Sequence, residues 1–130
     1  MTTAEDISVY LTEQGITASV NDIDNTTTDA IGVFDTGGFA PVRCHGSKAY
    51  QHPYDRPSFQ ILLRCANKLT ASTRLDNITG VLDGIMNQTL NGHYYLKIEQ
   101  NTSVSYLGRV ETESGETNEY SVNYTSVKQR

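Results

Sequence analysis

The sequence predicts an α+β fold: an antiparallel or mixed sheet of about five strands with two helices packed on one face. Three observations lead there. Residues 58–65 alternate, with Phe59, Ile61, Leu63 and Cys65 on one side and Gln60, Leu62 and Arg64 on the other. That period of two belongs to a strand with one buried face. Over residues 68–90, Leu69, Leu75, Ile78, Leu82, Ile85, Met86 and Leu90 recur mostly at three- and four-residue steps, the apolar stripe of one long helix. Residues 93–100 alternate again, with Tyr94, Leu96 and Ile98 on one face and Tyr95 and Lys97 on the other. The helix stripe is the nearest partner for the two strand faces.

In chain order, residues 3–14 read as a short helix. Thr3 can cap it, Glu5 and Asp6 lie in the first turn where the dipole favours carboxylates, and Ile7, Tyr10 and Leu11 form its buried edge. Gly15 suits the position after the helix, and Ile16 can fold back on the last turn. Residues 20–29 are polar and read as loop, and residues 30–35 as strand. Residues 36–57 carry no period and contain Gly37-Gly38, Pro41, Gly46, Pro53 and Pro57. An irregular stretch longer than about 15 residues is usually functional or mobile. This one also holds Phe39, Val42, Tyr50 and Tyr54, so it reads as an arm that orders against a partner. Asn67 is a plausible cap for the long helix, and Asn91-Gly92 its stop. Residues 103–111 and 119–127 should be a hairpin around a turn at Gly115, with Tyr120, Val122 and Tyr124 on one face.

At 130 residues the chain reads as one domain, 1–130. Its net charge of −5 does not suit gripping nucleic acid by its phosphates. The apolar runs are too short to span a membrane as a helix, and the first residues lack the pattern of a secretion signal. Without such a signal, Cys44 and Cys65 are expected as free thiols, and the several Asn-X-Ser/Thr triplets carry little meaning.

No residue pattern commits to catalysis, a metal or a cofactor. Cys44, His45 and His52 fit no zinc spacing. Asp35-Thr36-Gly37 after the apolar run Ile31-Gly32-Val33-Phe34 resembles the catalytic strand of retroviral-type aspartic proteases, in which two carboxylates share a proton. Gly38 after that triplet, and the long helix, depart from that family. The plainer reading is that Asp35 ends a strand and Gly37-Gly38 turns it. An outer sheet face mixing Leu62, Arg64, Tyr95 and Lys97 suits cover by another subunit.

A second resemblance covers nearly the whole chain. Val33-Phe34-Asp35-Thr36-Gly37-Gly38 is followed by Tyr54-Asp55-Arg56-Pro57-Ser58-Phe59-Gln60-Ile61-Leu62-Leu63-Arg64. Then come Gly92-His93-Tyr94-Tyr95-Leu96-Lys97-Ile98, Tyr106-Leu107-Gly108-Arg109 and Tyr120-Ser121-Val122-Asn123-Tyr124. In order and spacing this resembles the minor capsid protein family of long-tailed bacteriophages, whose members are similar to tail terminator proteins. The resemblance implies a structural virion protein, made in the host cytoplasm and not an enzyme. It would form a ring, usually a hexamer, at the head-proximal end of the tail tube, ending tube polymerisation and docking on the head connector. A neck or head-completion adaptor is the alternative. The implied partners are further copies, tail tube protein and neck proteins, with DNA passing through unbound. The acidic chain would suit such a lumen. On this resemblance Asp35, Gly37 and Gly38 launch the arm, and Arg56 and Pro57 return it, Arg56 pairing with a carboxylate such as Asp35. Phe39, Val42, Tyr50, Tyr54, Arg56, Tyr106 and Arg109 then face neighbouring subunits.

Overall fold

The computed structural model describes residues 2–42 and 54–129, with backbone alone over 39–42. Among these residues two helices and seven strands follow one another as α1 (Thr3–Glu13), β1 (Ser19–Val20), β2 (Ala30–Val42), β3 (Tyr54–Cys65), α2 (Lys68–Leu82), β4 (Ile85–Leu90), β5 (His93–Gln100), β6 (Ser105–Thr112) and β7 (Gly115–Gln129). The fold is α+β and the sheet mixed, larger than the roughly five strands expected from periodicity. Its order is β1-β2-β3-β7-β5-β4, with β6 also on β7. Among the described residues only β1 and β2 run parallel. One edge of β7 serves two partners: β6 along residues 115–121 and β5 along 124–128.

The alternation in β3 is as expected, with Phe59, Ile61, Leu63 and Cys65 all buried. They join Val122 and Tyr124 of β7, Ala4, Ile7 and Leu11 of α1, and Ala71, Leu75, Ile78 and Leu82 of α2 in one core. Phe59 stacks on Tyr124, ring centroids 5.1 Å apart. Helix α1 starts at Thr3, where expected, but its cap is Thr2 and not Thr3. At its end Gly15 has φ +86° and the Ile16 amide donates to the Leu11 carbonyl, which satisfies groups a helix end otherwise leaves open. Asn67 caps α2 by accepting from the Leu69 and Thr70 amides.

The stripe over residues 68–90 is two elements. Helix α2 ends at Leu82, Gly84 takes φ +86°, and Ile85–Leu90 is a strand. A strand buries its two ends here, Ile85 and Leu90, while Met86 is exposed; Leu69, also assigned to the stripe, is exposed. Asn91 and Gly92 both have positive φ and join β4 to β5 as the two-residue turn that suits a twisted hairpin, rather than stopping a helix.

In β5 the alternation fails at Leu96, which has no counterpart where Tyr95 faces Lys128 and Lys97 faces Val127. One extra residue changes which side chains point inward. Tyr95 and Ile98 are therefore fully buried, and Tyr95 does not lie on an outer face.

The stretch read as an irregular arm is strand wherever it is described. Strands β2 and β3 continue as a ribbon, with Phe39 opposite Arg56 and Val42 opposite Tyr54. Tyr54 and Asp55 also pair with Gln129 and Lys128. Two register shifts interrupt the ribbon, between Thr36 and Phe39 and between Phe39 and Val42. The first sets Gly37-Gly38 against Pro57, a residue with no amide to donate, which strands tolerate at bulges. Ser126 Oγ donates to the Pro57 carbonyl at 2.9 Å. Tyr50, Cys44, His45 and His52 lie outside the described residues.

Candidate functional site

Three features lie where function was expected or where the sequence concealed it. The first is the base of the ribbon. Asp35 sits inside β2 and neither ends the strand nor turns it. Its Oδ1 accepts from the Ala4 amide at 2.9 Å, and its Oδ2 from Asn21 Nδ2 at 3.1 Å, while its own amide donates to Asn21 Oδ1. The carboxylate thus satisfies a first-turn amide of α1. This accounts for an Asp before Thr36-Gly37 without acid–base chemistry. Asp35→Ala should lower stability by about 1 kcal/mol, the scale of a lost helix cap, measured by urea unfolding.

Gly38 has φ +75°, and a Cβ there would lie 2.8 Å from the Arg56 carbonyl oxygen and 3.1 Å from Pro57 Cα. Its amide donates to Ser58 Oγ, which also bonds Thr36 Oγ1. Asp35, Gly37, Asp55, Arg56, Pro57 and Lys128 line a surface cleft of about 350 Å³ beside Thr2 and Thr3. Asp35 and Arg56 both line this cleft.

The second feature is strand β6. Among the described residues it pairs with β7 on one side only, which leaves its other edge as an open strand edge there. Leu107 is the extra residue of a bulge, between Tyr106 opposite Tyr120 and Gly108 opposite Glu119. Val104, Tyr106 and Leu107 are 42%, 49% and 52% exposed. Tyr106 packs on Tyr120 at 5.3 Å, takes Lys68 Nζ 5.2 Å above its ring, and donates to Asn118 Oδ1. Arg109 is exposed and lies 3.5 Å from Glu116. The sequence singled out Tyr106 and Arg109 but not Leu107 as contact residues, because a bulge breaks the alternation that would show which side chains share a face.

The outer-face Arg64 is covered from within the chain. Its Nε donates to Glu119 Oε2 at 2.8 Å and its guanidinium to Asn25 Oδ1. Residues 21–29 fold over this end of the sheet, with the Glu113 amide donating to the Asn25 carbonyl and Thr117 Oγ1 to the Thr28 carbonyl.

The third feature is a buried carboxylate that the sequence showed only as a first-turn acid. Asp6 is fully buried. Its Oδ2 accepts from Tyr95 Oη at 2.6 Å and lies 3.2 Å from Lys128 Nζ. Its Oδ1 accepts from Asn91 Nδ2 at 3.1 Å and lies 3.0 Å from His93 Nδ1. Burial alone pushes the Asp6 carboxyl up. The hydrogen bonds from Tyr95, Asn91 and Lys128, with the Lys128 charge, outweigh it and hold the group below the usual carboxylate range. Burial, then the bond to Asp6, pushes the Tyr95 phenol far above its ordinary value. Cys65 carries a free, buried thiol, raised chiefly by burial.

Among the described residues no helix is long and apolar enough to cross a membrane, and no three His, Cys, Asp or Glu side chains cluster as a metal site. What the geometry offers is surface: an open strand edge with apolar side chains, and a two-bulged ribbon. The family model described as bacteriophage tail terminator protein matches residues 6–130, and the chain belongs to that family, a structural one of the phage tail. Comparison with curated proteins returns no match.

Proposed function

We propose that this protein forms a ring, a hexamer, at the head-proximal end of a phage tail tube, where it stops tube polymerisation and joins the tail to the head connector. The family match over residues 6–130 carries this reading. The open edge of β6, with Val104, Tyr106 and Leu107 exposed, supports it, since strand edges and apolar patches are where chains add to one another. A ring needs a heterologous contact that repeats and closes. Phe39, Val42, Tyr50, Tyr54 and Arg56 of the ribbon and Tyr106 and Arg109 of the edge are its contact residues. Tail tube protein and connector proteins are its further partners, DNA passes through unbound, and the protein resides in the virion at the head–tail junction. The neck adaptor remains the second reading, since an apolar edge serves a portal-side ring equally.

Light scattering tests the proposal. The chain, alone or mixed with tail tube protein, should run near six times its monomer mass. Leu107→Glu, on the exposed bulge, should return it to monomer while leaving the melting curve in place, since exposed substitutions shift stability by within about 0.5 kcal/mol. A monomer at all concentrations, with no added mass on mixing, would sink the ring. Added mass with portal-side proteins and none with tube would favour the adaptor.

A further inference from the structure

Four donors from three other segments converge on the Asp6 carboxylate: Asn91 in the β4–β5 turn, His93 and Tyr95 of β5, and Lys128 of β7. Helix α1 holds the acceptor, and its apolar side, Ala4, Ile7 and Leu11, closes over the core. We propose that Asp6 and these four side chains form a latch that keeps α1 docked near neutral pH and releases it, ahead of the sheet, when the carboxylate takes up a proton. The strands beneath are joined by their own ladders, β3 between β2 and β7, so α1 can leave without unpairing them. A protonated Asp6 loses the charge that faces Lys128 and His93, and it gains a donor where four donors already point.

The sign follows from the direction in which the group is held. Its folded-state value lies below the ordinary one, so its contribution is complete above about pH 4, the unfolded carboxylate value, and is lost as pH falls through the lower folded value. Tyr95 limits the latch on the other side. Its phenol is raised, so its contribution is complete below about pH 10 and is lost above that. Among the described residues the further charged groups at this end are Glu5 on α1, Asp35 on β2, and Asp55 and Arg56 on β3, of which the last three line the cleft with Lys128. His93 and Lys128, when cationic, favour the charged latch and delay its opening.

Hydrogen exchange on the free chain tests this, with rates corrected for the intrinsic pH dependence. In the wild type, α1 amides should lose protection below about pH 4 while β3 amides keep theirs. D6N should show open α1 at neutral pH, its amides exchanging roughly 10- to 100-fold faster, the scale of a lost charged hydrogen-bond set. E5Q removes a carboxylate from the same turn and leaves the latch whole, so α1 should stay protected. The proposal fails if α1 and β3 lose protection together in the acid series, if D6N protects α1 as the wild type does, or if E5Q opens α1 equally. Should D6N not fold, the wild-type acid series decides.

Discussion

Leu82→Asp is expected to give a chain with no cooperative thermal transition. Leu82 is fully buried as the last residue of α2. Losing a buried leucine costs about 2–5 kcal/mol through transfer and cavity terms. The new carboxylate adds several kcal/mol, because nothing in the apolar cluster can pair it. It also sits at the helix end that disfavours negative charge. Against a total stability of about 5–15 kcal/mol, the sum removes the folded state. Circular dichroism and dispersion of amide resonances check it. A cooperative melt in the variant would show that this helix face does not carry the core. Leu69→Asp is the contrasting case: Leu69 is 81% exposed, and its replacement should leave the melt nearly unmoved, within about 0.5 kcal/mol.

Gly38→Val is expected to disrupt the ribbon base. A β-branched residue at φ +75° strains the backbone by about 1–3 kcal/mol. Its Cβ would press on the Arg56 carbonyl, an atom of the main chain that cannot rotate away. The bulge must then shift, and with it the Gly38 bond to Ser58 and the facing Pro57. The melting temperature should fall, and hydrogen exchange should rise first at residues 36–39 and 56–58. If the ribbon makes the ring contact, assembly is lost at temperatures where the core remains folded. Gly37→Ala is the control, since a Cβ on Gly37 meets no atom of the described residues within 4 Å. An equal loss of assembly in both variants would point away from the clash at Gly38.

Strand β3, the caps Asn67 and Gly15, and the last hairpin were legible because their signals are local: alternation, a capping side chain, a glycine at positive φ. The errors have one physical origin. A bulge adds a residue and reverses which side chains point inward, so a period of two vanishes although the strand continues. Two such shifts made residues 36–42 look like loop, and one at Leu96 reversed the assigned faces of Tyr94 and Tyr95. The 68–90 stripe misled differently. Ile85 and Leu90 happen to extend the helical spacing, and the Asn91-Gly92 turn between two strands carries the same residues as a helix stop. The Asp6 cluster was invisible because its members come from positions 6, 91, 93, 95 and 128, and only the tertiary fold brings them together. Conversely, Asp35 was conspicuous in sequence through a short motif whose carboxylate is occupied by the Ala4 amide and Asn21.

The long strand β7 has a consequence for how the chain is made. It pairs with β3, β5 and β6, all of which precede it in sequence. During translation those strands emerge from the ribosome before β7, the strand they pair with, and the alternating apolar side chains of β3 wait longest. The sheet therefore closes only once residues 115–129 have been synthesised, and the interval before that is when a chaperone has most to protect.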